Sequence, residues 1–278
     1  AALNMNKDIG ITATACGLGA GIFFLTYCAF VVPSNLFLER DGARVWIARI
    51  MITWGILSGA MAFIVGERSF YLVRLLLGAA EAGFFPGIIF YLTLWFPARY
   101  SGRIISTFMA AIPLSSVIGS PVSGALLGLD GVWGFRGWQW LYVLAALPAV
   151  IFAGVVLAFL TDRPAQAAWL PEDERAWLTE RLAQEQRARE SARRYSVTEA
   201  LLDRRVLAVA FVYFGNQALL YGLSFFLPQI VKGLDLTNFQ TGPVRPSPFP
   251  IGSVGMLVLG RSSDRMGART GLAAFELP

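Results

Sequence analysis

Phe70–Phe96 reads FYLVRLLLGAAEAGFFPGIIFYLTLWF, and its twenty-seven residues hold two charges, Arg74 and Glu81. As a helix rising about 1.5 Å per residue it extends roughly 40 Å, enough to cross a bilayer with tilt. Arg74 and Glu81 are seven residues apart. That spacing puts them on nearly the same helix face and roughly 10 Å apart along the axis, beyond a direct salt bridge. Each then needs its own partner: a neighbouring helix, water or a ligand. A charge inside a membrane span is expensive, so both are candidate functional residues.

The rest of the chain has the composition of a membrane protein. Of 278 residues, 56% are hydrophobic and 15% charged, with a mean hydropathy of +0.58; a soluble domain carries about 25% charged residues. The 28 glycines suit helices that pack closely in lipid. Cys16 and Cys28 are twelve residues apart in one apolar stretch and poorly placed to bridge each other, so no disulfide framework is expected. Histidine is absent from the sequence, which excludes His-based catalysis, His metal ligands and His proton relays. Proton chemistry falls to carboxylates, Tyr or Lys, and no metal or cofactor is implied.

Seven apolar stretches follow one another: Ile11–Pro33, Val45–Val65, Phe70–Phe96, Ile104–Leu129, Trp138–Leu160, Val206–Ile230 and a weak one over Pro243–Gly260. Basic residues set the orientation. Seventeen of the 23 lie after the odd-numbered stretches, nine of them between Arg163 and Arg205, against five on the other side. The positive-inside rule places the seventeen in the cytosol. The net charge of +5 thereby reads as cytosolic loops rather than nucleic-acid binding. The N-terminus then lies outside, which predicts a further span ahead of residue 1. Trp46 and Trp95 fall at cytosolic ends and Trp138 and Trp140 at an outer end, as an interfacial belt or as ordinary helix packing.

Between Thr161 and Arg205 the composition turns polar. Pro171 followed by Glu172, Asp173 and Glu174 makes a helix start, and Glu185 and Arg189 form an i,i+4 pair. This predicts a solvated cytosolic helix. The expected division is an N-terminal helical half over 1–161, a linker over 162–204 and the start of a second half over 205–278. Glycine pairs spaced by four, Gly17/Gly21, Gly55/Gly59, Gly83/Gly87 and Gly124/Gly128, predict close helix contacts.

Two segments match each other. Glu39-Arg40-Asp41-Gly42-Ala43-Arg44 and Asp264-Arg265-Met266-Gly267-Ala268-Arg269, the latter preceded by Gly260, both follow an apolar stretch on the cytosolic side. An internal repeat of this length points to two parallel halves. The pattern resembles the signature loop after the second and eighth helices of the major facilitator superfamily. Pro33-Ser34-Asn35, the run Arg74–Gly87 and Gly137-Trp138-Gln139-Trp140 look like its anion:cation symporter branch, with tartrate and sugar-acid transporters. The resemblance implies an all-α integral membrane bundle, partial, with about seven of twelve transmembrane helices. Departures exist: Val32 and Ala145 stand where relatives often carry Glu.

Glu81 is the one carboxylate of 18 that falls deep in a span. Charging it in low dielectric is costly, so it is either a proton carrier or a structural hydrogen-bond donor to another helix. The resemblance matches it to a proton-coupling position. Arg74 either snorkels to the outer interface or holds a carboxylate through its planar fork; in the family this position lines the substrate cavity. Tyr27 resembles a cavity tyrosine. Asn216 and Tyr221 join it as candidate substrate-binding residues, since polar groups at that depth glue helices or bind solutes. Glu39, Arg40, Gly42, Arg44, Gly260, Asp264, Arg265, Gly267 and Arg269 form the conformational motif.

These readings converge on secondary transport of a small organic anion, a tartrate- or sugar-acid-like carboxylate, across the inner (plasma) membrane. Proton-coupled symport by alternating access is the expected mechanism. The partners are the carboxylate, protons or another cation, and the lipid bilayer. The alternative is a truncated, non-transporting fragment of such a protein. A membrane enzyme would need a catalytic group inside the spans, and none is visible.

Overall fold

The structure, a computed structural model, describes residues 5, 8–192, 196–215 and 217–218. Each of the first five apolar stretches forms helix long and apolar enough to cross a membrane: Thr14–Asp41, Ala43–Phe63, Gly66–Trp95, Ala98–Leu127 and Gly137–Phe159. Of the sixth stretch, residues 206–215 are helical. Its remainder and the seventh stretch lie largely or wholly outside the described residues.

Helix α1 (Ala13–Asp41) starts where the Thr12 hydroxyl accepts the Ala15 N–H at 3.1 Å. It carries Pro33 in its interior, where a ladder hydrogen bond is lost. Gly42, at φ +93°, ends it and leads into α2 (Ala43–Ala60). The organising stretch is not one helix. It divides into α3 (Gly66–Glu81) and α4 (Phe84–Trp95), with Gly83 at φ +86° between them. That left-handed conformation suits glycine and strains other residues. The fourth span comprises α5 (Ser101–Met109) and α6 (Ala111–Leu127). Next come α7 (Gly137–Phe159), the polar α8 (Glu172–Ala192) and the short α9 (Val197–Leu202).

The chain divides into two compact units. The first joins Ala1–Phe96 to Ile118–Thr179, so the start of the polar linker belongs with the membrane helices before it. Within it, α1 and α3–α4 run side by side in the same direction. A Cβ on Gly19 would strike the Phe70 ring, one on Gly78 the Phe23 carbonyl and Thr26 hydroxyl, and one on Gly87 would stand 2.6 Å from Leu38 Cδ1. Helices α2 and α7 run antiparallel: a Cβ on Gly55 would lie 2.7 Å from Val150 Cγ2, and one on Gly59 3.6 Å from Ala146 Cβ. Two of the four glycine pairs therefore do bring helices together. Gly17, Gly21 and Gly124 face no atom within 4 Å among the described residues, and Gly128 meets only the nearby Ala125 carbonyl.

Both ends of this unit are tied. At the end assigned to the outside, Trp138 Nε1 donates to Asp8 Oδ2 at 2.8 Å, and Gln139 Nε2 donates to the Ala62 carbonyl at 2.7 Å. Gly137 leaves room for the Leu127 carbonyl. The Gly137-Trp138-Gln139 run is thus an anchoring device for the start of α7. At the opposite end the Tyr91 hydroxyl donates to the Thr161 carbonyl at 3.0 Å, and Trp95 stacks on Trp169 with ring centroids 5.7 Å apart. Those indoles pack against other residues of the unit, as the packing reading expects.

The second unit comprises Pro97–Val117 and Glu180–Pro278. In it the Glu185 carboxylate accepts the Ala98 N–H at 2.9 Å, and its other oxygen lies 3.4 Å from Arg181. Glu185 thus has Arg181 one turn back as an ion-pair partner; the expected pair with Arg189 falls on a side chain outside the described residues. Most linker charges are solvated as expected; Glu185, instead, holds the head of the fourth span.

Candidate functional site

Arg74 extends from α3 towards α1. Its guanidinium carbon lies 5.5 Å from the Phe23 ring centroid and 5.7 Å from that of Phe70. Phe70 is fully buried, and the Nε of Arg74 is buried with no hydrogen-bond partner among the described residues. Cation–π contacts of this kind are worth ~1–2 kcal/mol when desolvated. They hold the guanidinium plane without occupying its N–H donors, leaving Nε to find an acceptor.

Tyr27 continues the aromatic face of α1, with its ring centroid 6.0 Å from that of Phe23. Helices α1 and α3 thus meet at Arg74, through Phe23 and Phe70. On α7, Tyr142 packs edge-on to Trp138 at 6.3 Å between ring centroids and lies against the buried cluster that includes Phe70. This place of Tyr142 was not legible in the sequence. Only its spacing of four from Trp138 placed both on one face.

Glu81 is the last residue of α3 and is partly buried. The described residues give it no ion pair, consistent with its distance from Arg74, although the field of that guanidinium reaches it. Immediately after it come the fully buried Ala82 and the left-handed Gly83. The carboxyl therefore sits at the negative end of a helix, where a further negative charge is unfavourable, and beside a break in the backbone.

In the motif between α1 and α2, Glu39, Arg40 and Arg44 are exposed, and Arg40 lies 3.9 Å from the carboxylate of Asp41. The acid that engages this loop is Asp162, whose Oδ1 accepts the Arg44 backbone N–H at 2.7 Å. Asn216, Tyr221, Gly260, Asp264, Arg265, Gly267 and Arg269 lie outside the described residues.

The model of the Major Facilitator Superfamily matches residues 1–276. A protein of Agrobacterium vitis named "Putative tartrate transporter" is 53% identical over 270 residues, 97% of this chain and 60% of that protein. A "Quinolone resistance transporter" of Acinetobacter baumannii is 42% identical over 274 residues, 98% of the chain and 63% of its own length. The "Inner membrane transport protein RhmT" of Escherichia coli K12 is 41% identical over 273 residues, 97% of the chain and 63% of its own length. The chain spans 60–63% of the length of these relatives.

Proposed function

Because the chain belongs to the major facilitator superfamily, we propose that the protein carrying it moves a small carboxylate across the plasma membrane by alternating access, with a proton as the coupling ion. It is a multi-pass membrane protein of a transporter family, not an enzyme. The substrate class and the coupling ion belong to this proposal. The observation that carries them is the Arg74 guanidinium, beside two phenyl rings with a buried Nε that has no partner among the described residues, on the same helix as the one deep carboxyl. A carboxylate is the ligand that meets a guanidinium fork best. The relative named a tartrate transporter supports the same class.

In this reading Arg74 receives the anion, with Tyr27, Asn216 and Tyr221 orienting it, and Glu81 takes the proton. Arrival of an anion at Arg74 changes the field at Glu81, so substrate and proton are coupled without contact between the two residues. The loops built on Glu39, Arg40, Gly42 and Arg44, and on Gly260, Asp264, Arg265, Gly267 and Arg269, set the balance between inward- and outward-facing states.

Proteoliposomes containing the protein test this. Counterflow with a panel of dicarboxylates and sugar acids, and with a quinolone as the competing class, identifies the substrate. Glu81→Gln mimics the protonated side chain permanently. It is expected to abolish accumulation driven by a pH gradient while leaving counterflow at zero gradient. Full accumulation by Glu81→Gln would remove Glu81 from the coupling step.

A further inference from the structure

Ser34 is 7% exposed and is the one buried polar residue within the described core. Its neighbours explain why a hydroxyl sits there. A Cβ on Gly83 would collide with the Ser34 side chain, 2.6 Å from its Cβ, so α1 and the α3–α4 break touch at this point. The same hydroxyl accepts the Trp46 indole N–H at 3.0 Å. Trp46 lies two residues beyond Arg44 of the cytosolic motif, stacks on Phe37 at 5.2 Å between centroids, and carries the Arg49 guanidinium 4.4 Å above its ring. Ser34 also follows Pro33, so the weak point of α1 and the break after Glu81 lie side by side.

We propose that Ser34 is a positioning residue for the proton step: its hydroxyl seats the α3–α4 break behind Glu81 and ties it, through the Trp46 indole, to the cytosolic loop. This rests on the reading of Glu81 as the proton site. Gly83 can absorb a change in backbone angle that other residues resist. Neutralising Glu81 removes a charge from the negative end of α3 and thereby alters the last turn before the break. Through Ser34 that change reaches Trp46 and the start of α2, so the loop responds to the proton. Among the described residues, no second charge is set against Glu81. Arg74 on its own helix is the charge whose field reaches it. Helix α1 presents Ser34 and Asn35 to the break and has no charged residue before Glu39. Helix α2 presents Trp54, 5.9 Å from Phe84 between ring centroids, while its Arg49 is held on Trp46.

Coupling claims require a coupling measurement. Hydrogen exchange of the protein in nanodiscs, corrected for intrinsic rates, follows residues 82–87 and 43–50 at acid and alkaline pH without any substrate. The unmodified protein is expected to change protection in both segments together. Ser34→Ala retains the response at 82–87 and loses most of it, about five-fold, at 43–50. Ser34→Thr restores it. Trp46→Phe, which keeps the ring and removes the donor, reproduces Ser34→Ala and serves as the second variant should Ser34→Ala not fold. If the segments still respond together in Ser34→Ala or Trp46→Phe, the proposal is overturned. Glu81→Gln separates the two ideas: it is expected to silence both segments, and an unchanged pH response in it would sink the proton reading and the relay with it.

Discussion

Asp162 accepts a hydrogen bond from the Arg44 backbone N–H at 2.7 Å, although the two residues are 118 positions apart. It does for α2 what a local Ser or Asp does for most helices: it satisfies one of the N–H groups left without a partner in the first turn. The contact also explains the glycine of the motif, since a Cβ on Gly42 would stand 3.1 Å from Asp162 Oδ1.

Removing that acceptor therefore weakens the join between the loop and the end of α7. Asp162→Ala is expected to lower stability by about 1 kcal/mol, the usual loss for an N-cap, and Asp162→Asn by less, since its amide oxygen still accepts. Thermal unfolding in detergent measures both. Equal stability of Asp162→Ala and the unmodified protein would mean that the cap is redundant.

Gly42→Ala tests the same join from the other side. At φ +93° and ψ +146° it occupies a region that is essentially glycine-only, where another residue costs of the order of 1–3 kcal/mol. A larger loss than for Asp162→Ala is expected, because the methyl also crowds the carboxylate.

Arg74→Lys keeps the charge and loses the plane that lies against Phe23 and Phe70. Substrate affinity measured by equilibrium binding is expected to fall about ten-fold, the equivalent of roughly 1.4 kcal/mol. Unchanged affinity would leave the arginine as a packing residue.

Glycine substitutions discriminate faces of the bundle. Gly55→Leu places new atoms against Val150 and the Ala146 carbonyl and is expected to destabilise by about 1–3 kcal/mol through overpacking. Gly17→Leu meets no described neighbour within 4 Å and is expected to be nearly neutral by the same melting measurement. A severe loss in Gly17→Leu would reveal a neighbour for that face.

The spans were legible because crossing lipid demands length and apolarity, both of which are visible one residue at a time. The break after Glu81 was not. Ala82 and Gly83 continue an apolar run, and hydropathy does not distinguish a straight helix from two joined ones. Spacing placed Gly55 and Gly59 on one face, but a face says nothing of what meets it, and Gly17 and Gly21 have the same spacing with no described neighbour. Arg74 announced itself by the expense of its charge, whereas its phenyl neighbours look like any other apolar residues. Asp162 and Glu185 were hidden in a charged segment, where composition predicts solvation and only the fold brings one to Arg44 and the other to Ala98.

The breaks also bear on the bilayer itself. The spans Thr14–Asp41 and Gly66–Trp95 contain 28 and 30 residues, or roughly 42–45 Å at 1.5 Å per residue, against about 30 Å of hydrocarbon. Helices with that surplus tilt, bend or project beyond the lipid. Here the bendable points, Pro33 and Gly83, lie alongside each other through Ser34, so a bend that takes up the surplus in one span meets the bend in the other. Lipid chain length is therefore expected to tune the angle of the joint that follows Glu81.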